Sequence, residues 1–221
     1  MVMFIILGIP LLLAAGAFII KRERLFGMIN CFGYFLVLCA SIFIFKEAVS
    51  TGNIKALANF IYLDILSAVF ILVTSVVAFA AALYSIAYIS KDIKENIISR
   101  RKAGFYYLLF NLFCFSMFCV PAVNNLGMLW VAIEMTTLIS AFLVGFYNSK
   151  ESVEAAWKYI IICSVWIAFA LLGTILFSYA FSISGLSKSL NWSDMMPVAH
   201  VLDKNILKIA FIFVLVGYGT K

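Results

Sequence analysis

Between Lys102 and Lys150 the chain carries a single charged residue, Glu134, and it falls in the middle of an apolar run. Uncharged stretches of this kind recur along the sequence. A bilayer core of about 30 Å takes roughly 20 helical residues to cross. In hydrocarbon every backbone N–H and C=O must be satisfied internally, which leaves helices and closed barrels as the only spanning forms. Runs of this length select helices. Met1–Ile20 and Leu25–Phe45 read as the first and second spans, and Ile61–Ile89 holds the third, with Asp64 near its start. The uncharged run Ala103–Ile133 is too long for one helix. Pro121 and the Asn124–Asn125 pair divide it, because proline and paired asparagines favour a turn. This gives a fourth span at Phe105–Val120 and a fifth at Leu126–Tyr147. Tyr159–Phe181 is the sixth, and Asn205 opens a seventh.

The expected fold class is therefore all-α: a polytopic transmembrane helix bundle with six complete spans and a truncated seventh. From Ile209 only twelve uncharged residues precede Lys221, and twelve helical residues cover about 18 Å, short of a crossing. The expectation is that this is a fragment, a truncated gene product or part of a longer chain. Residues 1–102 read as a three-helix membrane segment and 103–221 as the start of a further repeat.

Composition supports a lipid solvent. Hydrophobic residues make up 66% of the chain, charged residues 12%, and the mean hydropathy is +1.13. That leaves too little polar surface for a soluble domain of this size. The net charge of +6 does not indicate nucleic acid, because the basic residues sit in short loops between apolar runs, where they act as topology signals. Lys21, Arg22, Arg24, Lys91, Lys94, Arg100, Arg101, Lys102, Lys150 and Lys158 lie at one side, against Lys46, Lys55, Lys188, Lys204 and Lys208 at the other. The first side is read as cytoplasmic, with the N-terminus and the loop Ser182–Lys204 outside. The N-terminal run lacks a basic n-region, and its basic cluster follows the apolar stretch, as in a retained first span rather than a signal peptide. The five cysteines form no C-x-x-C pair and His200 is the only histidine. No nickel–iron, iron–sulfur or haem centre is expected, and no cofactor.

The charges inside the spans are the candidate chemistry. Glu134 lies nine residues into its span, roughly 13 Å deep. A carboxylate at that depth costs at least a few kcal/mol and marks a functional candidate. The alternative is a neutral glutamic acid capped by Thr137, three residues on and on the same helix face. Lys221 ends the last apolar run. Burial disfavours the charged form of an acid and of a base alike, which brings both within reach of proton exchange near neutral pH. A solvated chain terminus is the other reading of Lys221. Gly217 and Gly219 in VGYGTK suggest a helix break of the kind that marks ion sites in transporters, or else close helix packing through small residues. Lys158 either takes part in a relay or snorkels to the interface. Asp64 is either solvated or paired with a loop lysine. The Lys91–Lys102 run reads as a cytoplasmic anchor, and its fragment KENIISRRK as a stretch lying on the membrane surface.

Four segments carry a resemblance. NNLGMLWVAIEMTTLISAFLVGFY, EAAWKYIIICSV, IFVLVGYGTK and LDILSAVFILV resemble the antiporter-like subunits shared by respiratory complex I, Mrp-type cation/proton antiporters and membrane-bound group 4 hydrogenases. The wording around GYGTK and KYIIICSV resembles the hydrogenase-4 and formate hydrogenlyase type. The resemblance spans Leu63 to Lys221. It implies a proton-translocating membrane subunit with no redox centre of its own, set in the cytoplasmic membrane among other membrane subunits and a peripheral redox arm. By position it implies the glutamate role for Glu134, the buried lysine role for Lys221 and an intermediate role for Lys158. The carried ion is the proton, or sodium. The family's fold has about fourteen spans in two inverted repeats, and the histidine-containing segment that follows the lysine is absent here. An antiporter subunit without a redox partner, and a non-transporting truncated scaffold, are the alternatives.

Overall fold

The computed structural model describes residues 2–17, 23–57, 59–185 and 189–220. Eight α-helices account for most of them: α1 (Val2–Gly16), α2 (Glu23–Thr51), α3 (Ile65–Lys94), α4 (Arg100–Ala122), α5 (Leu126–Val144), α6 (Lys150–Ile183), a single-turn α7 (Trp192–Met195) that runs into a 3-10 turn (Met196–Val201), and α8 (Lys204–Gly219). Five of them, α2 to α6, are long and apolar enough to cross a membrane; α1 and α8 are shorter. Large apolar side chains cover the outside of the bundle, among them Phe43, Phe70 and Ile161, each more than half exposed. In water such a surface would be unstable; against lipid tails it costs nothing.

Local chemistry sets the helix ends. Asp64 caps α3 by accepting from the Ser67 amide at 2.7 Å. Ser99 and Ser149 cap α4 and α6 through the Lys102 and Ser152 amides, and Asn125 caps α5. Each side-chain oxygen satisfies an amide that has no partner inside its helix. α4 continues one residue past Pro121 and stops at Ala122, since a proline late in a helix disrupts bonding mainly behind it.

One element departs from the all-helical expectation. Asn53–Ala56 (β1) and Ile61–Asp64 (β2) pair antiparallel in a small hairpin, with Asn53 opposite Asp64. Ile61 to Asp64 therefore form a strand, and the third span starts at Ile65. Leu57 and Asn59 take positive φ at the tip, a conformation asparagine tolerates better than most residues. Small residues in α2 to α4 let the helices approach closely, and a continuous apolar core joins α1 to α4 through Ile6, Tyr34, Val37, Ile71 and Phe118. α5 packs on α4 and α6, and α8 packs on α6. There Gly173 and Gly217 sit directly against Val214 and Ala170.

At the end of the bundle that carries the hairpin, Asn124 ties three connections together. Its amide nitrogen donates to the Asn59 carbonyl and the Ser193 hydroxyl, both at 2.8 Å, and its carbonyl oxygen accepts from the Ser193 amide at 3.1 Å. Its backbone N–H and C=O bond Phe60 and Trp192. The opposite end holds most of the basic residues.

Candidate functional site

Asn125 sets the start of α5 by accepting from the amides of Gly127 and Met128 at 3.0 and 3.2 Å. Glu134 then falls eight residues in, about 12 Å along the axis. Its Oε2 is enclosed and has no hydrogen-bond partner. The nearby hydroxyls do not serve it. Thr136 and Thr137 both donate to the Ile133 carbonyl, at 2.6 and 3.2 Å, and Ser140 donates to that of Thr137. An enclosed polar oxygen left without a donor is uncommon in folded proteins.

The structure separates Glu134 from Lys158. α5 and α6 are held in register by the Ser140–Tyr159 hydroxyl pair at 2.9 Å and by the Trp130 indole N–H on the Ile167 carbonyl at 2.9 Å. These pairings put Glu134 level with Ser164, so Lys158 lies six residues, or about 9 Å, along the axis. Lys158 is exposed and bonds Glu154 one turn earlier at 2.5 Å. Lys221 lies outside the described residues. α8 runs unbroken through Gly217 and ends at Gly219.

A cavity of about 1170 Å³ opens between α3, α4, α5, α6 and α8. Its wall is chiefly apolar, with Asp64, Thr74, Ser140, Tyr159, Thr174 and Tyr218 as polar points. Ile133 lines it, and Glu134, one residue on and about 100° round the helix, does not.

Two polar groupings were not foreseen from the sequence. Within α2 and α4, Asn111 donates to the Asn30 side chain at 2.9 Å and to the Tyr107 carbonyl at 2.8 Å, and accepts from Tyr34 at 2.9 Å; all are buried in the apolar core. At the basic end, Asp92 is buried near the end of α3 and accepts from Tyr147 at 2.5 Å. Asp92 stands in a lysine-rich run, KDIKE, which reads as a solvated anchor. Only its place seven residues after Ser85, on the inward face of α3, hints at burial.

The fold and its apolar surface define a polytopic helical membrane protein. Residues 49–96 match the family model for the N-terminus of chain 5 of NADH-ubiquinone oxidoreductase (complex I). The chain is 36% identical over 204 residues to a hydrogenase-4 component F homolog of Methylacidiphilum infernorum (isolate V4), covering 91% of this chain and 42% of that one. Its fold matches a chain of the Mrp complex from Dietzia sp. DQ12-45-1b with a TM-score of 0.78 at 18% identity, over 100% of this chain and 40% of that one. It likewise matches a chain of an archaeal membrane-bound sulfane sulfur reductase, with a TM-score of 0.76 at 22% identity over 98% and 43%. The chain belongs to the family of antiporter-like membrane subunits found in complex I, hydrogenase-4 and Mrp assemblies. It spans less than half the length of these relatives.

Proposed function

We propose that the chain is part of a proton-translocating membrane subunit of a redox-driven respiratory or hydrogenase complex, with Glu134 as a relay carboxyl. The observation that supports this is the enclosed, unpartnered Oε2 of Glu134 inside an apolar span. A fixed structural carboxyl is expected to be hydrogen-bonded. One that alternates between protonated and charged forms needs free valence toward a passing donor. Intramembrane carboxylates are costly, and proton relays use them for that reason. Lys221 is the proposed base at the end of α8, and Lys158 the intermediate group on α6, about 9 Å along the axis from Glu134. Asp64 and Thr137 are proposed as supporting groups, and Gly217 and Gly219 as the place where the seventh helix yields. The reading has six spans and the start of a seventh in the cytoplasmic membrane, with the basic end inside and the N-terminus outside. Residues 103–221 begin the translocating repeat. Energy reaches it from partner membrane subunits and a redox arm.

The test replaces Glu134 by Gln in the full-length subunit within its complex. Glutamine keeps the shape and removes the exchangeable proton. Protons moved per electron should fall toward zero while electron transfer at the redox subunits persists. Undiminished pumping refutes the role. The match to the Mrp fold over the whole chain favours a second reading, a cation/proton antiporter subunit driven by an ion gradient. Proton movement that needs a sodium gradient and no electron donor selects it.

A further inference from the structure

The mechanism above leaves a second enclosed carboxylate unused. Asp92 is 6% exposed, two residues before the end of α3. Its backbone carbonyl accepts from the amides of Ile97 and Ile98, at 2.9 and 3.4 Å, which fixes the turn that follows. Its Oδ2 accepts from the Tyr147 hydroxyl at 2.5 Å, and the Tyr147 hydroxyl also meets that of Tyr88, one turn back on α3. Basic residues crowd this end of the bundle, yet each with a recorded partner is engaged elsewhere. Lys91 pairs with Glu95 on α3, and Arg100 of α4 pairs with Glu23 of α2. Lys102 of α4 donates to the Tyr147 carbonyl at 3.2 Å and lies over the Phe146 ring. Among the described residues no cation lies within ion-pair distance of Asp92.

A buried carboxylate with no counter-ion is a poor choice for holding helices together, because its desolvation is not offset. A lysine within reach would relieve it, and Lys91 and Lys94 are close in sequence. What the arrangement does provide is a largely enclosed proton acceptor at the basic end, reached from solvent past one phenol, Tyr147, that is itself 37% exposed. The Tyr147 hydroxyl serves Asp92 as a donor. Between Tyr147 and Glu134, about 20 Å along the chain, α5 carries the hydroxyls of Ser140, Thr137 and Thr136, each bonded to a backbone carbonyl of its own helix. On α3 a second line of hydroxyls leads inward from Tyr88 to Ser85, which bonds Tyr106 of α4 at 2.9 Å.

We propose that Asp92 is the carboxylate that collects protons at the basic end of the bundle for the relay, and that Tyr147 is the residue that positions it. The proposal rests on the proton-translocation reading and names the entry point for the same carboxyl on α5. An oxygen of Asp92 takes a proton from solvent water. The proton leaves inward along hydroxyls and intervening water, and the carboxylate is restored. Nothing is oxidised and no other bond changes.

The experiment uses the full-length subunit in its complex, in sealed vesicles, and compares Asp92→Asn, Asp92→Glu and Glu134→Gln. Asparagine keeps an acceptor oxygen for Tyr147 and loses only the titratable proton. Protons per electron should fall several-fold in Asp92→Asn. Its remaining pumping should drop steeply as pH at the basic side rises, whereas the native profile stays flatter, and Asp92→Glu should recover both. A structural role would not change the pH profile. Native pumping and profile in Asp92→Asn, or no recovery in Asp92→Glu, overturns the inference. Loss of pumping in Glu134→Gln beside native Asp92→Asn sinks only the entry point, whereas native pumping in both sinks the translocation reading. Should Asp92→Asn fail to assemble, the unmodified complex decides with a hydrophobic carbodiimide, which reacts with protonated carboxyls. Labelling of Asp92 that parallels lost pumping supports the proposal, and absence of labelling refutes it.

Discussion

Replacing Gly217 by alanine tests the α6–α8 contact with a sign that composition alone would get wrong. Alanine is the better helix former by about 0.5–1 kcal/mol in a helix interior, so on propensity the change stabilises. In the structure a Cβ at 217 would stand 2.4 Å from the Ala170 nitrogen, 2.6 Å from its Cβ and 2.7 Å from its Cα. Ordinary contact is 3.4–4 Å, so α8 must retreat from α6 by about 1 Å. The obstacle is backbone and cannot rotate away. Gly173 faces the same constraint from the other helix, where a Cβ would stand 2.8 Å from the Ala210 carbonyl oxygen. Overpacking of this kind costs about 1–3 kcal/mol. Subtracting the propensity gain leaves a net destabilisation of up to about 2.5 kcal/mol. A Cβ added at Gly8, on α1, would meet nothing within 4 Å beyond its own helix, and there alanine should be neutral or stabilising by up to about 1 kcal/mol. Unfolding by SDS from detergent micelles, followed by helical circular dichroism and tryptophan fluorescence, separates the two variants. Ala170→Gly combined with Gly217→Ala should recover little of the loss, because the backbone nitrogen and Cα of residue 170 stay at 2.4 and 2.7 Å from the new Cβ. If Gly217→Ala and Gly8→Ala move the midpoint alike, the close α6–α8 approach is wrong.

Asn124→Leu removes three buried hydrogen bonds that join the hairpin tip and the 189–193 segment; stability should drop by about 1–3 kcal/mol, with faster amide exchange at residues 189–193 as the local readout. Asp194 holds those connections by accepting from Ser189, Asn191 and Ser193, and chiefly the Ser189 bond keeps its carboxyl below the ordinary 3.8. Because the folded form binds its proton less readily, the stabilisation is complete above about pH 4 and fades as pH falls through the lowered value. Amide exchange of this segment should quicken below pH 4 in the native chain, and Asp194→Asn should flatten that response.

The five long helices, α2 to α6, were legible because lipid makes the rule strict. A run near twenty uncharged residues has few stable fates, and Asn125 marks the start of α5, but α4 and α6 begin at Arg100 and Lys150, ahead of the expected Phe105 and Tyr159, because the Ser99 and Ser149 caps let the helices run on through charged residues. The hairpin was missed because Ile61 to Asp64 is as apolar as the helix it precedes, and strand pairing depends on a partner, Asn53 to Ala56, whose position no periodicity reveals. Glu134 stood out as one charge in an uncharged stretch. Asp92 did not, because among lysines an aspartate is unremarkable until the end of α3 is seen buried beneath Tyr147.

The sequence by itself determined the apolar surface, the long helices and the place of Glu134 along α5, since each follows from transfer free energy summed along a short segment. Tertiary structure alone decided that Gly217 seats α8 on α6, that Thr137 bonds the backbone rather than the carboxyl, and that Lys158 sits away from Glu134. Those outcomes depend on which helix faces meet and at what offset, a matter of packing between segments far apart in the chain.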